Sequence, residues 1–141
     1  MNMADLIPRM SRLEHLKNLS YSELNTIIEI GQIHRFAAGT RIFLEGDSCS
    51  GLYVLLSGQV HLYKNGPQGQ ENIIAVIKPV IMFNEVAVLD GGSNPVTAVP
   101  FKDSTIWRAS SERFNLIMER YPKIALGLLP ILAARNRLLI S

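Results

Sequence analysis

Between Phe83 and Ala98 the chain reads FNEVAVLDGGSNPVTA. An acidic residue opens a short apolar helical turn, a Gly-Gly bend follows, and a β-prone run closes the segment. This is the layout of a loop that grips a phosphate. Backbone N–H groups at a helix start form an anion-binding nest, and a forked arginine or a lysine completes such a site. Neither residue occurs between 83 and 98, where the only formal charges are Glu85 and Asp90. The segment therefore outlines an anion pocket but carries the opposite sign of charge.

Little else in the chain has the spacing of a reactive centre. The histidines His15, His34 and His61 are not paired at a helical or strand interval that would make a metal or haem site, so each reads as a surface or turn residue. His61 lies in a strand whose neighbours Val60 and Leu62 point the other way. Cys49, within GDSCSG, reads as an exposed turn residue and has no second thiol to pair with. An iron–sulfur site would need several cysteines. No Ser/His/Asp or Cys/His arrangement stands in a recognisable context, and Asp90 and Glu85 have no partner that would tune them for proton transfer, so no catalytic residue and no metal ligand is assigned. Trp107 and Phe101 read as barrel core or rim.

The elements that must position the 83–98 segment are legible from periodicity. SYSELNTIIEIG opens on a capping box, Ser20 with Glu23, and places Leu24, Ile27 and Ile28 on one helical face before Gly31 ends it. Upstream, Met10, Leu13, Leu16 and Leu19 recur every three residues, which suits a helix or helical turns packed on the domain. From Ile33 to about Trp107 the texture changes to short β-prone runs. These are IHRF, TRIFL, LYVLL, QVHLY, ENIIAVI, VTAVPF and STIWR, with Gly39, Gly46, Gly51, Gly58 and Gly66 where the chain must reverse. Short strands joined by tight turns predict an antiparallel barrel or sandwich and not βαβ units. SSERFNLIMERYP then predicts a helix capped by Ser110 or Ser111, burying Phe114, Ile117 and Met118 and stopped by Pro122. The last run, KIALGLLPILAARNRLLIS, lines Leu128, Leu132 and Leu139 along one side, with Ile131 and Leu138 beside them and a kink or restart expected at Pro130. So apolar a helix at a chain end predicts pairing with a second copy, with Leu128, Ile131, Leu132, Arg135 and Leu139 as its contact residues.

Bulk properties narrow the class. A chain of 141 residues fits one domain with one core. With 14 Lys+Arg against 12 Asp+Glu the charge is +2, too weak and too scattered for a nucleic-acid footprint. The lone cysteine suits a reducing cytoplasm, and the sequence contains no signal-peptide pattern or membrane-length apolar run.

The order of elements, with F-x-x-G-T-x-I-F-x-E-G-D, L-Y-V-L-L-S-G-x-V, I-K-P, F-N-E-V-A-V-L-D-G-G and V-T-A, resembles the cyclic-nucleotide-binding domain of the cyclic AMP receptor protein/FNR (Crp/Fnr) regulators. The resemblance covers roughly Leu13 to Ile140. It implies a mainly β fold with flanking α-helices, an eight-stranded jelly-roll barrel or double-stranded β-helix followed by a long dimerisation helix. The expected organisation is an N-terminal helical segment over 1–31, the barrel over 32–109 with its cassette at 83–98, and C-terminal helices over 110–141. The family usually continues into a helix-turn-helix domain, which this chain does not contain, so DNA would be reached only through a missing domain and the chain reads as the sensor half of a longer regulator.

In cyclic-nucleotide-binding relatives the cassette reads Phe-Gly-Glu, an apolar turn, then Arg-Ser/Thr-Ala, and the resemblance carries over position by position. Phe83 and Glu85 match, Asn84 replaces the glycine whose amide faces the phosphate, and Val86 and Ala87 keep the apolar turn. Thr97 and Ala98 match the closing pair, while Val96 stands where the arginine would be. The implied effector is a less anionic molecule than cAMP or cGMP, with haem or a small organic ligand as candidates. The alternatives are a true nucleotide receptor drawing a cation from elsewhere, such as Lys78, Lys102 or the partner chain, and a ligand-free interaction module. In that last case Asn84 would serve only as a helix N-cap and Gly91-Gly92 only as a turn.

Overall fold

Residues Leu52 to Leu56 are apolar without interruption, and the computed structural model explains why: the strand they begin is covered on both faces. The structure describes residues 3–14 and 16–140, leaving the side chains of Met3, Ala4, Arg135, Leu139 and Ile140 outside the description. Helices α1 (Met3–Met10) and α2 (Tyr21–Glu29) precede strands β1 (Gln32–Phe36), β2 (Leu52–Asn65), β3 (Glu71–Ile77) and β4 (Ile81–Phe83). Helix α3 (Glu85–Asp90), strand β5 (Thr97–Ala109) and helices α4 (Ser111–Arg120) and α5 (Pro122–Ile140) complete the order. The strands form an antiparallel jelly-roll sheet in the order β1-β5-β2-β3, with β4 also paired to β2.

Helix α2 starts as the capping box requires. The Ser20 hydroxyl accepts from the Glu23 N–H at 3.1 Å and the Ser20 N–H donates to Glu23 Oε1 at 3.0 Å. Upstream, α1 ends at Met10, and successive backbone bonds run from Leu13 to Met10, Leu16 to Leu13 and Leu19 to Leu16. Turns closed over three residues bring a side chain to the same side every third position, which is why a spacing of three buries Met10, Leu13 and Leu16 without a long α-helix. His15 lies outside the described residues.

Several strand expectations need correction. LYVLL and QVHLY are one strand, not two around a turn: β2 passes through Ser57-Gly58 with register shifts against β5 between Leu55 and Val60. Gly58 is thus a bulge residue, at φ 102°, where a Cβ would sit 2.7 Å from the Asp103 carbonyl oxygen. VTAVPF and STIWR likewise run on as β5, so five continuous strands among the described residues do the work of the eight expected. TRIFL makes only one bridge, Phe43 to Ala98, because the next amide, that of Glu45, donates to the Thr97 hydroxyl at 2.9 Å instead of to the backbone ladder. Pro122 opens α5 as well as following α4, a position where its missing N–H costs nothing. Helix α5 continues through Pro130.

Two cores result. Leu52, Val54 and Leu56 of β2 join Trp107, Leu16 of the turns after α1 and the helical residues Met10, Ile27, Phe114, Ile124 and Leu128. Trp107 also donates from Nε1 to the Ile28 carbonyl at 3.0 Å. Tyr53 and Leu55, on the other face of the same strand, join Phe43, Phe83, Ala98 and Ile106 inside the roll. Phe101, by contrast, is exposed.

Candidate functional site

Strand β4 sets Phe83 opposite Tyr53, and Phe43 completes an aromatic group with ring centroids 5.2 to 6.1 Å apart. The chain then turns sharply at Asn84, whose φ of 71° makes it the single non-glycine residue with positive φ among those described. Asparagine tolerates the left-handed region that a glycine would occupy. The side chain does not cap α3. A capping side chain needs an extended backbone, so the left-handed turn aims the carboxamide elsewhere. Its Nδ2 donates to the Gly51 carbonyl at 2.9 Å and to Asn94 Oδ1 at 3.1 Å, while its Oδ1 is buried without a protein partner.

Asn94 is the second half of this pin. Its Nδ2 donates to the Leu44 carbonyl at 3.1 Å, its N–H to Asp47 at 2.8 Å, and its own carbonyl accepts from Gly46 at 2.9 Å. The loop before β2 and the cassette are therefore tied together through two asparagines. Cys49 is half-buried beside Asn84, not an exposed turn residue, since this pin draws its loop against the domain.

In front of the pin lies a cavity of about 280 Å³, walled by Phe43, Leu62, Ala75, Ile77, Ile81, Met82, Phe83, Val86, Pro95 and Val96, with Asn84 and Glu85 as its polar residues. Glu85 opens α3 and is only 4% exposed. Of the candidate residues, Phe83, Asn84, Glu85, Val86 and Val96 meet at this cavity. Ala87, Thr97 and Ala98 do not line it. Ala87 faces a cleft beside Cys49 and Ser111, the Thr97 hydroxyl is held by the Glu45 amide, and Ala98 is buried in its bridge to Phe43. The sequence reading missed the far wall, Leu62, Ala75 and Ile77. The signal was present: Ala75 and Ile77 alternate in ENIIAVI, and Leu62 pairs with Ala75.

No described cation lines the cavity. Lys78 and Lys102 are exposed and elsewhere. Lys64 reaches the cassette's backbone: its Nζ donates to the Pro95 carbonyl at 3.1 Å and to Glu45 Oε2 at 3.3 Å. The Glu45 carboxyl is held below its ordinary value, chiefly by the Asn65 backbone N–H at 2.8 Å, with Lys64 adding to the effect against a smaller opposing cost of burial. His34 lies beside Phe36, and His61 stacks on Phe101 at 4.6 Å. Neither lines the cavity, and among the described residues no group of His, Cys, Asp and Glu is arranged to hold a metal.

The C-terminal helix also departs from expectation. Leu128 is taken up by the chain's own core, in the cluster that also holds Phe114 and Ile117, so it is not free to face a partner. Ile131 and Leu132 are half-buried, and the side chains of Arg135 and Leu139 lie outside the described residues. The large apolar residues left exposed are Leu126, Leu129 and Leu138. No described helix is long and apolar enough to cross a membrane.

A model of the cyclic nucleotide-binding domain family matches residues 33–121. The Cyclic AMP receptor protein of Thermus thermophilus is 30% identical over 119 residues, covering 84% of this chain and 55% of that protein. A CRP-like cAMP-activated global transcriptional regulator of Mycobacterium tuberculosis is 28% identical over 102 residues, covering 72% of this chain and 46% of that protein. The chain thus spans about half the length of these curated relatives. The crystal structure of the sensor domain of the transcriptional regulator DNR from Pseudomonas aeruginosa shares the fold, with a TM-score of 0.84 at 23% identity over 99% of this chain and 95% of that one.

Proposed function

We propose, from the premise that this chain belongs to the cyclic nucleotide-binding domain family and is related to the sensor domains of Crp/Fnr regulators, that it senses a small-molecule effector other than cAMP or cGMP for a transcription regulator. The observation that carries this reading is the cavity wall. Val96 stands where such cassettes place arginine, and the one formally charged residue among the described lining is the carboxylate of Glu85. Losing one partner of a buried charge pair costs ~2–5 kcal/mol, a factor of roughly 30 to several thousand in affinity. The domain itself is a non-enzymatic binding module.

In this reading residues 32–109 form the sensing roll and 83–98 its cassette. The helices over 110–141 carry the response to a homodimer partner through α5, where Leu126, Leu129 and Leu138 are the exposed apolar residues, and on to a DNA-binding domain outside this chain. The setting is the cytoplasm. Haem suits the cavity less well than a small organic molecule, because about 280 Å³ lies at the low end of ligand pockets, roughly 300 Å³ and above, and no described histidine lines it.

A second reading has one observation in its favour: the Lys64 ammonium reaches the Pro95 carbonyl, next to the missing arginine. Both readings are separated by calorimetry with cAMP on the natural chain and on Val96→Arg. The expected result is weak binding by the natural chain and a gain of at least about thirty-fold in the variant. Binding of cAMP by the natural chain tighter than about 10 μM, near −7 kcal/mol, would establish the receptor reading instead.

A further inference from the structure

We infer that the occupant of this cavity is a neutral apolar molecule, a hydrocarbon-like ring with a short chain, held by the inside of the roll and not by any charge. This deepens the proposed effector site and rests on that reading. The wall is continuous with the core of the roll: Phe43, Ile77 and Phe83 belong to its buried cluster, and Leu62, Ala75 and Val96 pack against that cluster. The two polar residues of the wall are committed elsewhere. Asn84 donates from Nδ2 to Gly51 and Asn94 and has its oxygen buried, while Glu85, 4% exposed, is engaged in an interaction of its own. A charged occupant would give up its hydration without gaining a partner from this wall, whereas an apolar one exchanges water for side chains of its own kind.

Size follows from volume. An apolar cavity of ~150 Å³ holds a benzene ring, so about 280 Å³ admits a ring carrying a short chain. Ala75, the smallest residue of the wall, is paired with Leu62 in the β2–β3 register, so a longer side chain at 75 would take up volume the occupant needs. Val96 completes the selection. An arginine there would be a buried cation that an apolar occupant leaves unpaired, and valine removes that demand.

The experiment is calorimetry of the 141-residue chain with three probes of similar size that differ in charge: n-propylbenzene, 2-phenylethylamine and phenylacetate. The hydrocarbon should bind at least about tenfold tighter than either ion, with a negative heat-capacity change, the marker of buried apolar surface. Ala75→Leu should abolish its binding, and Val96→Arg should weaken the hydrocarbon and strengthen phenylacetate. If a variant does not fold, the order of the three probes on the natural chain decides the matter alone. An ion that equals or exceeds the hydrocarbon overturns the neutral class while leaving a non-nucleotide effector in place. Hydrocarbon binding that survives Ala75→Leu unchanged puts the molecule outside the cavity and overturns the inference as well. No binding by any of the three does the same, and the cAMP titration then decides separately whether the non-nucleotide reading survives.

Discussion

Strand β2 serves two interiors, and they are built differently. On its helix-facing side Leu52, Val54 and Leu56 meet Trp107 and a dense set of residues from α1, α2, α4 and α5. On its roll-facing side Tyr53 and Leu55 meet fewer residues, and beyond them the packing opens into the cavity beside Glu85. One face is filled, and the other leaves open volume. Separating the two across a single strand lets a residue of the cavity wall change without disturbing the core that holds the domain together.

The contrast is tested hardest at Trp107. Trp107→Ala should cost about 3–5 kcal/mol, since it empties the helix-side core and also removes the bond to the Ile28 carbonyl. Urea denaturation measures this, and a loss below about 1 kcal/mol would mean that the helix side is not the stabilising core. Next comes Asn84→Ala, expected to cost about 1–3 kcal/mol, because alanine resists the left-handed turn and the Gly51 carbonyl loses its donor. Asn84→Gly keeps the turn and should cost less. The difference between these two variants, read as a difference in denaturation midpoint, isolates the backbone contribution from the pin.

At the cavity the expectation is opposite in kind. Ala75→Leu adds volume to open space, so stability should change by less than about 1 kcal/mol while binding of any effector in the cavity is abolished. Large destabilisation there would show a wall as tightly packed as the helix side.

The smallest effect is a pH dependence. Glu23, bonded to the Ser20 backbone N–H and near Lys123, and Glu45, bonded to the Asn65 N–H, are both held below the ordinary carboxyl value. Because the folded state prefers the charged form, their contribution is present above the unfolded carboxyl value and is lost as pH falls through the lowered one. A thermal-melt series from neutral to acidic pH should therefore decline at its acidic end, and Glu45→Gln should flatten part of that decline.

Local chemistry was readable in the chain wherever a motif acts through its own neighbours. The Ser20–Glu23 box and the opening of α4 at Ser110 both follow from residues within a few positions of each other. The failures lie where the deciding partner is distant in sequence. Gly58 looked like a reversal because its bulge is dictated by Asp103 and Ser104. TRIFL looked like a strand because the competing Thr97 hydroxyl comes 52 positions after Glu45. Leu128 looked available to a partner because its periodicity does not record that the chain's own core already buries it. For the candidate site, the charge deficit at Val96 was legible, whereas the cavity wall across the roll needed the register of Leu62 on Ala75.

The double-sided burial of Leu52 to Leu56 carries a cost for folding fidelity. In most antiparallel strands a slip by one residue drives polar groups inward and is rejected at once. Here the same slip would exchange leucine and valine for tyrosine and leucine, so solubility gives no warning of the error. What forbids the misaligned pairing is shape: Gly58 must lie against Asp103 and Ser104, where any other residue of the strand would bring a Cβ into the neighbouring backbone. The strand's correct alignment is thus proofread by the fit of that close approach, just past the end of the doubly buried run.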